Sequence, residues 1–218
     1  LKGNLILGRK NNLGWYFGTR TGIISSHTES NFEIIGYSNR GILVSPKFIY
    51  SSEANSTHST NAKLEIGWIQ DQENYLGLDR RGEPFSRDRS FLEAYFLSLP
   101  DDYWRLAGQV EWESDSEIIR EFKSDRFENR QWLDHFAEIS WEHSIGGVSG
   151  LSRWQVNEHD VQVEQIPTFR LDFGPVNRPL QSTYHSTSIE YSNLNEKDAY
   201  GTSLNKSKKL DFTFQTYH

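Results

Sequence analysis

The chain contains no cysteine and no methionine. Without cysteine, this stretch has no disulfide framework and no thiolate metal site. The missing methionine, the start at Leu1 and the lack of a signal-peptide pattern read as a mature fragment or an excised region. No apolar run approaches the roughly 20 residues that a transmembrane helix needs, and the mean hydropathy is -0.70. A membrane-spanning helix is excluded. A membrane-spanning strand is not, because it takes only about 10 residues and turns only every second one to lipid. Positive charge is in deficit too: a formal net charge of -7 over 218 residues leaves no electrostatic footprint for nucleic acid.

Aromatic residues are plentiful. Hydrophobic residues make up 35 % of the chain, below the roughly 45–50 % of ordinary globular proteins. Yet aromatics reach 14 %, with seven Trp, ten Tyr and thirteen Phe, so the chain is not disordered. A polar average with abundant aromatics suits a barrel with a wet lumen.

The dominant period is two. Over 61–70, Ala62, Leu64, Ile66 and Trp68 fall on one face and Lys63, Glu65 and Gly67 on the other. Over 103–113, Trp104, Leu106, Gly108, Val110 and Trp112 oppose Tyr103, Arg105, Gln109, Glu111 and Glu113. Over 132–143, Leu133, Ala137, Ile139 and Trp141 oppose Asp134, Glu138 and Glu142. Each run matches the roughly 9–11 residues of a tilted membrane strand better than the 5–6 of a globular one. Further strands are expected at 1–8, 13–20, 31–37, 41–50, 73–79, 91–98, 147–157, 161–173, 183–192 and 209–217. Leu210, Phe212 and Phe214 open an alternation that suggests a sheet continuing past His218.

Polar segments at 51–60, 80–90 and 193–208 read as connections, and Gly146-Gly147 as a tight turn. Ser114-Asp-Ser-Glu117 has the capping-box pattern ahead of Ile118, Ile119 and Phe122, which predicts one or two helical turns. Pro46 cannot donate to a ladder and marks an edge or a weakened pairing. No domain boundary is evident within 1–218. Trp68, Trp104, Trp112, Trp141, Trp154, Tyr50 and Phe173 fall near strand ends, the level at which aromatic rings meet lipid headgroups. His135 and His143 lie on an apolar parity, which suits interfacial histidines better than metal ligands.

Alternation also fits a soluble β-sandwich. Paired carboxylates can cleave glycosides, and Glu111, Glu113 and Asp115 share a parity, but every strong strand here has a similar charged face, so a polar lumen wall or loop end accounts for them better. No zinc-protease helix, nucleophile elbow, P-loop or dinucleotide fingerprint is present, so neither catalysis nor a cofactor is expected. Asn55-Ser-Thr and Asn205-Lys-Ser match glycosylation sequons and, were the source bacterial, would be only polar loop residues. Lys63, Glu65, Arg105, Gln109, Glu111, Asp134, Glu138 and Arg153 are the candidate lumen-facing residues. Their mixed charge suits a neutral or zwitterionic glycan path better than a selective ion pore.

Three stretches resemble the barrel domain of the lipopolysaccharide-assembly outer-membrane proteins, the LptD (OstA/Imp) family. They are Tyr37-Ser-Asn-Arg40-Gly41 before an alternating strand, Trp112-Glu-Ser114-Asp115 with Phe122 shortly after, and Glu164-Gln-Ile-Pro167. Their order and spacing fit across 31–192. The resemblance implies an antiparallel up-and-down outer-membrane β-barrel, of which this chain is a partial, early segment. It implies delivery of lipopolysaccharide to the outer leaflet of the bacterial outer membrane, with a plug lipoprotein of the LptE type and a periplasmic lipid-transport bridge as partners. The family's periplasmic domain and closing strands are not evident in this sequence. Two readings stay open beside it. One is a soluble β-sandwich or jelly-roll that binds or cleaves carbohydrate; the other is a different outer-membrane channel, such as a porin.

Overall fold

The computed structural model describes residues 2–52, 58–74, 76–79, 82–129, 134–159, 161–178, 183–198 and 201–217. The strands are β1 (Lys2–Lys10), β2 (Gly14–Ile24), β3 (Thr28–Tyr37), β4 (Gly41–Ser51), β5 (Ser59–Gln70), β6 (Asp88–Leu99), β7 (Trp104–Glu113), β8 (Phe136–His143), β9 (Gly146–Arg153), β10 (Val163–Arg178), β11 (Thr183–Lys197) and β12 (Ser203–Tyr217). Among the described residues between β7 and β8 are two short helices, α1 (Ile118–Phe122) and α2 (Ser124–Asn129). The strands are hydrogen-bonded in chain order, so the fold is an all-β, antiparallel, up-and-down sheet. The chain divides into two compact units, Leu1–Ala54 with Asn61–Tyr95 and Gln109–Asp134, and Asn55–Thr60 with Phe96–Gly108 and His135–His218.

Side chains alternate across each strand, and register gathers them into rows. In the second unit one row runs Ile139, Gly150, Phe169, Tyr191, Leu210, and the next runs Trp141, Val148, Leu171, Ile189, Phe212. Ile139, Val148, Phe169, Leu171, Leu210 and Phe212 are exposed. The other face of these strands carries Arg170, Asp172, Glu190, Lys209 and Asp211. In the first unit, Thr19, Ile34, Val44 and Trp68 form one apolar row and Ile23, Ser30, Phe48 and Leu64 another. The opposite face there bears the rows Asn4, Arg20, Glu33, Ser45 and Lys2, Gly22, Asn31, Lys47, Glu65. Leu64 and Ile66 are exposed, and Leu106 and Val110 are half-buried on the same parity. The first unit also has a small core on its polar side. Leu13, Ile35, Tyr37, Leu43, Ile69 and Phe91 meet Ile118, Ile119 and Phe122 of α1. Each such side chain, fully buried, contributes roughly 1.5–3 kcal/mol. Gly67 permits the packing, because a Cβ there would collide with the Phe91 ring.

Several expectations need correction. The described residues of 73–79 form no strand; they belong to the β5–β6 connection, with one bridge between Leu78 and Pro84. Gly77 at φ 103° and a tight turn, in which the Gly82 N–H donates to the Asp79 carbonyl at 3.1 Å, end any extension. The described residues of 193–208 are mostly strand, β11 ending at Lys197 and β12 starting at Ser203, with the Gly201 N–H donating to the Asp198 carbonyl between them at 3.1 Å. Polarity does not break these strands because Asn195 pairs with Lys206 and Glu196 with Asn205 across the ladder. Asn205 of the second sequon is therefore a strand residue, while Asn55 of the first lies outside the described residues, as does Leu133. Strand β9 stops at Arg153, so Trp154 lies beyond it, and the 144–145 dipeptide makes the β8–β9 turn, with Gly146 already paired to His143. Pro46 is not on an edge strand. Phe32 of β3 stands opposite it, but the ladder to β5 skips Ser45 and Pro46 between Val44–Trp68 and Lys47–Glu65. Pro167 sits inside β10, at a register shift against both β9 and β11.

Candidate functional site

The expected capping box does not form. Glu117 is the N-cap of α1 and makes no side-chain cap bond. Asp115 starts the helix instead: its Oδ1 accepts the Glu117 N–H at 3.0 Å, and its Oδ2 accepts the Ser114 hydroxyl at 2.9 Å. Ile118, Ile119 and Phe122 then face the sheet, and the segment lies as a strap across the polar side of the first unit.

Two arginines fix one end of the strap. Arg40, in the β3–β4 turn, donates to both oxygens of Asp71 at 2.8 and 2.6 Å and to both oxygens of Glu121 at 2.9 and 2.7 Å. Arg89 donates to both oxygens of Asp115 at 2.8 and 2.5 Å, to Asp71 at 3.0 Å and to Glu121 at 2.6 Å. Both guanidiniums lie near the Phe122 ring, at 5.1 and 5.6 Å from its centroid. Burial opposes charge on all these groups. It would raise the Asp71 carboxyl, but bonds from Arg40, the Glu73 N–H and Arg89 outweigh it and hold the group below the usual aspartate range. Burial is likewise outweighed at Asp115, chiefly by Arg89. At Arg40, burial favours the neutral form, but Asp71 and Glu121 push the balance towards the charged one.

The other end of the strap rests on carboxylates that face it from four strands. Lys123 Nζ lies 2.8 Å from Glu33 and 3.2 Å from Glu65. Arg126 lies 3.2 Å from Glu93 and 3.6 Å from Glu111. Lys63 pairs with Glu93 at 2.6 Å, Arg20 pairs with Glu33, and Lys10 donates to Ser124 Oγ at 2.7 Å. Between strap and sheet is a cleft of about 530 Å³, which adjoins a second of about 240 Å³ over β1–β5.

The expected lumen residues divide between the units. Lys63, Glu65 and Glu111 join the ion pairs under the strap, and Gln109 donates to the Asp134 carbonyl at 3.3 Å. Asp134 itself precedes β8. In the second unit Arg105 pairs with Glu138 at 2.9 Å, and Arg153 stands opposite Phe136 and Gln165. Of the motif residues, Arg40 and Asp115 are drawn into one network through Asp71 and Arg89, Gly41 holds a φ of 105° hard against β5, and Trp112 is exposed on the apolar face. The carboxylates Glu111 and Asp115 are thus engaged by Arg126 and Arg89. His135 is buried ahead of β8, 3.4 Å from the Asn157 amide, whereas His143 is exposed and stacks with Trp141 and Tyr103. Asp71, Arg89, Glu33, Glu93, Lys123 and Arg126 were not foreseen. For the last two the only signal was their place just past the apolar run Ile118, Ile119 and Phe122; Lys123 caps the end of α1 and Arg126 lies in α2.

No family model matches the chain, and no curated protein matches it. Among solved structures it is similar to outer membrane proteins. One is the outer membrane protein OpdK from Pseudomonas aeruginosa, at 10 % identity and a TM-score of 0.37, over 93 % of this chain and 57 % of that one. A second OpdK structure, under the name OccK1, and a third with vanillate each give 10 % identity and a TM-score of 0.38 over 98 % of this chain. The chain spans less than three fifths of the length of these structures.

Proposed function

We propose that this chain is part of the wall of a bacterial outer-membrane β-barrel that assembles lipopolysaccharide into the outer leaflet. One observation carries the membrane part: in each unit the exposed face of the strands is apolar row after row, while the opposite face holds the charges. A soluble sandwich would bury the first face; a lipid-facing wall leaves it bare. Aromatic residues flank the apolar band, with Trp15, Trp68 and Trp112 towards one end of their strands and Tyr103, Trp104 and Phe173 towards the other end of theirs. The long connections 71–87 and 114–135 both follow odd-numbered strands, which assigns that end to the cell exterior, since outer-membrane barrels keep their periplasmic turns short.

The lipopolysaccharide part rests on the resemblance of three stretches to the LptD family. It is supported by the meeting of two of them, through Arg40 and Asp115, in one buried cluster. On this reading the partners are a plug lipoprotein and a periplasmic lipid bridge, the saccharide passes along the charged face, and the chain catalyses nothing. Depleting the protein from its own cells tests it. Loss of surface lipopolysaccharide, measured with an outer-leaflet modifying enzyme or an O-antigen probe, is the expected result. Unchanged surface lipopolysaccharide with reduced uptake of small solutes would refute it in favour of a diffusion channel, the second reading, which the open charged face also suits.

A further inference from the structure

We propose that the smaller cleft, on the polar face of β1–β5 beneath Lys123, is a binding site for a phosphate-bearing ligand. It deepens the functional reading and rests on that face being wet. Two adjacent cross-strand rows build the floor: Lys2, Gly22, Asn31, Lys47, Glu65, and beside it Asn4, Arg20, Glu33, Ser45. Gly22 leaves the hollow, since a Cβ there would run into the Asn31 amide oxygen.

The carboxylates of the cleft are already engaged. Glu33 is held by Arg20 and Lys123, Glu65 by Lys123 and Lys63, and Glu29 accepts from the Asn31 amide at 2.7 Å. Two cations are not: among the described residues neither Lys2 nor Lys47 has a direct ion pair, although Lys47 feels the charge of Glu65. The buried Ser45 hydroxyl in the floor has no hydrogen-bond partner either. The adjoining cleft shares Arg20, Lys47 and Lys123 and adds Lys10, Lys63 and Arg126, so six cations there meet the acidic groups Glu33, Glu65, Glu93 and Asp125 of its lining and Glu111 beneath Arg126. This local excess of positive charge arises in a chain of net charge -7. It draws anions against the sign of the whole.

Phosphate fits better than carboxylate. A carboxylate is best met by the planar fork of one arginine, whereas separate ammonium groups on different strands act as point charges around a tetrahedral anion. A phosphate monoester, at about -1.5 to -2, matches two unpaired lysines. A phosphorylated sugar and a lipid phosphate present the same group.

The test is titration of the intact protein, refolded in detergent, with inorganic phosphate, glucose 1-phosphate and micellar phosphatidic acid, followed by phosphorus NMR and calorimetry. Saturable binding, weakened about tenfold or more by Lys47→Gln, retained by Lys47→Arg and unchanged by Lys209→Gln, is expected, tenfold being about the loss of one charge-assisted contact. Tighter binding of glucose 1-phosphate assigns the site to a sugar phosphate, and tighter binding of phosphatidic acid to a lipid headgroup. No binding of any probe, or equal binding by Lys47→Gln, overturns the site. Single-cysteine labelling, with any cysteine outside this cysteine-free stretch replaced, separates this failure from that of the wall itself. If Lys47→Cys takes up an impermeant maleimide and Phe48→Cys does not, the wet face stands whatever the titration shows; the reverse labelling overturns both.

Discussion

Replacing Arg89 with methionine removes a fully buried guanidinium that makes two bonds to Asp115, one to Asp71 and one to Glu121. Asp71 and Glu121 keep Arg40, so the damage concentrates on Asp115. That carboxylate retains only the Ser114 hydroxyl and the Glu117 N–H as donors. Stranding a buried charge in this way costs about 3–5 kcal/mol, whereas losing an exposed pair costs about 0–1 kcal/mol. Arg170→Met, which breaks the exposed pair with Asp172, is the matched control. The double variant Arg89→Met with Asp115→Leu removes one charge of each sign and leaves Arg40 between Asp71 and Glu121 with the net charge of the cluster unchanged. It should therefore recover part of the loss, because a buried pair replaced by apolar groups is often neutral or better. The assay is urea unfolding of the refolded protein in detergent, read by tryptophan fluorescence, with limited proteolysis of 114–129 reporting release of the strap. A cost below about 1 kcal/mol for Arg89→Met, or a double variant weaker than the single one, would refute the claim that this pair clamps α1.

Acid should release the strap late. Asp71 and Asp115 are both held below the usual aspartate range, so their contribution is fully present above the unfolded value near 4 and fades as pH falls below it, through their lowered folded values. Proteolysis of 114–129 by an acid-active protease should stay slow at pH 5 and rise only below about 4; release at pH 5–6 would contradict the assignment. Neighbouring residues of β12 should respond oppositely to charge. Phe212→Arg places a cation on the apolar face and should cost about 2–4 kcal/mol of folding into lipid vesicles if it lies near mid-bilayer, while Thr213→Arg should be tolerated on the polar face. Equal penalties for the two would undo the assignment of faces.

Period-two patterning carried most of the architecture, because a strand with one apolar and one polar face leaves that pattern whatever its surroundings. It failed where local chemistry overrode it. Leu76 and Leu78 look like a strand, but Gly77 adopts a left-handed backbone and the chain turns. The polar stretch around Asn195 looks like a loop, yet its ladder continues because cross-strand partners satisfy it. The site was harder to read. Lys63, Glu65 and Glu111 declared themselves by parity, but parity cannot say what lies over them. That depended on the strap, whose existence the sequence shows through Ile118, Ile119 and Phe122 and whose destination it does not. Arg40 stood out through the resemblance alone, and Asp115 through the resemblance, its carboxylate parity and the helix-start pattern; their shared partners Asp71 and Arg89 come from two further segments, and no local pattern links the four.

The clamp at the strap's fixed end also sets an order of assembly. Arg40 and Glu121 are 81 residues apart, and Lys123 and Glu33 are 90 apart. Closing loops of that size is slow unless the intervening hairpins have already brought the ends together. The strap must therefore wait for β4 to β7 to pair before Asp115 and Glu121 find their arginines. Until then Ile118, Ile119 and Phe122 remain bare, which makes the interval before docking the stretch of biogenesis in which this chain most needs a chaperone.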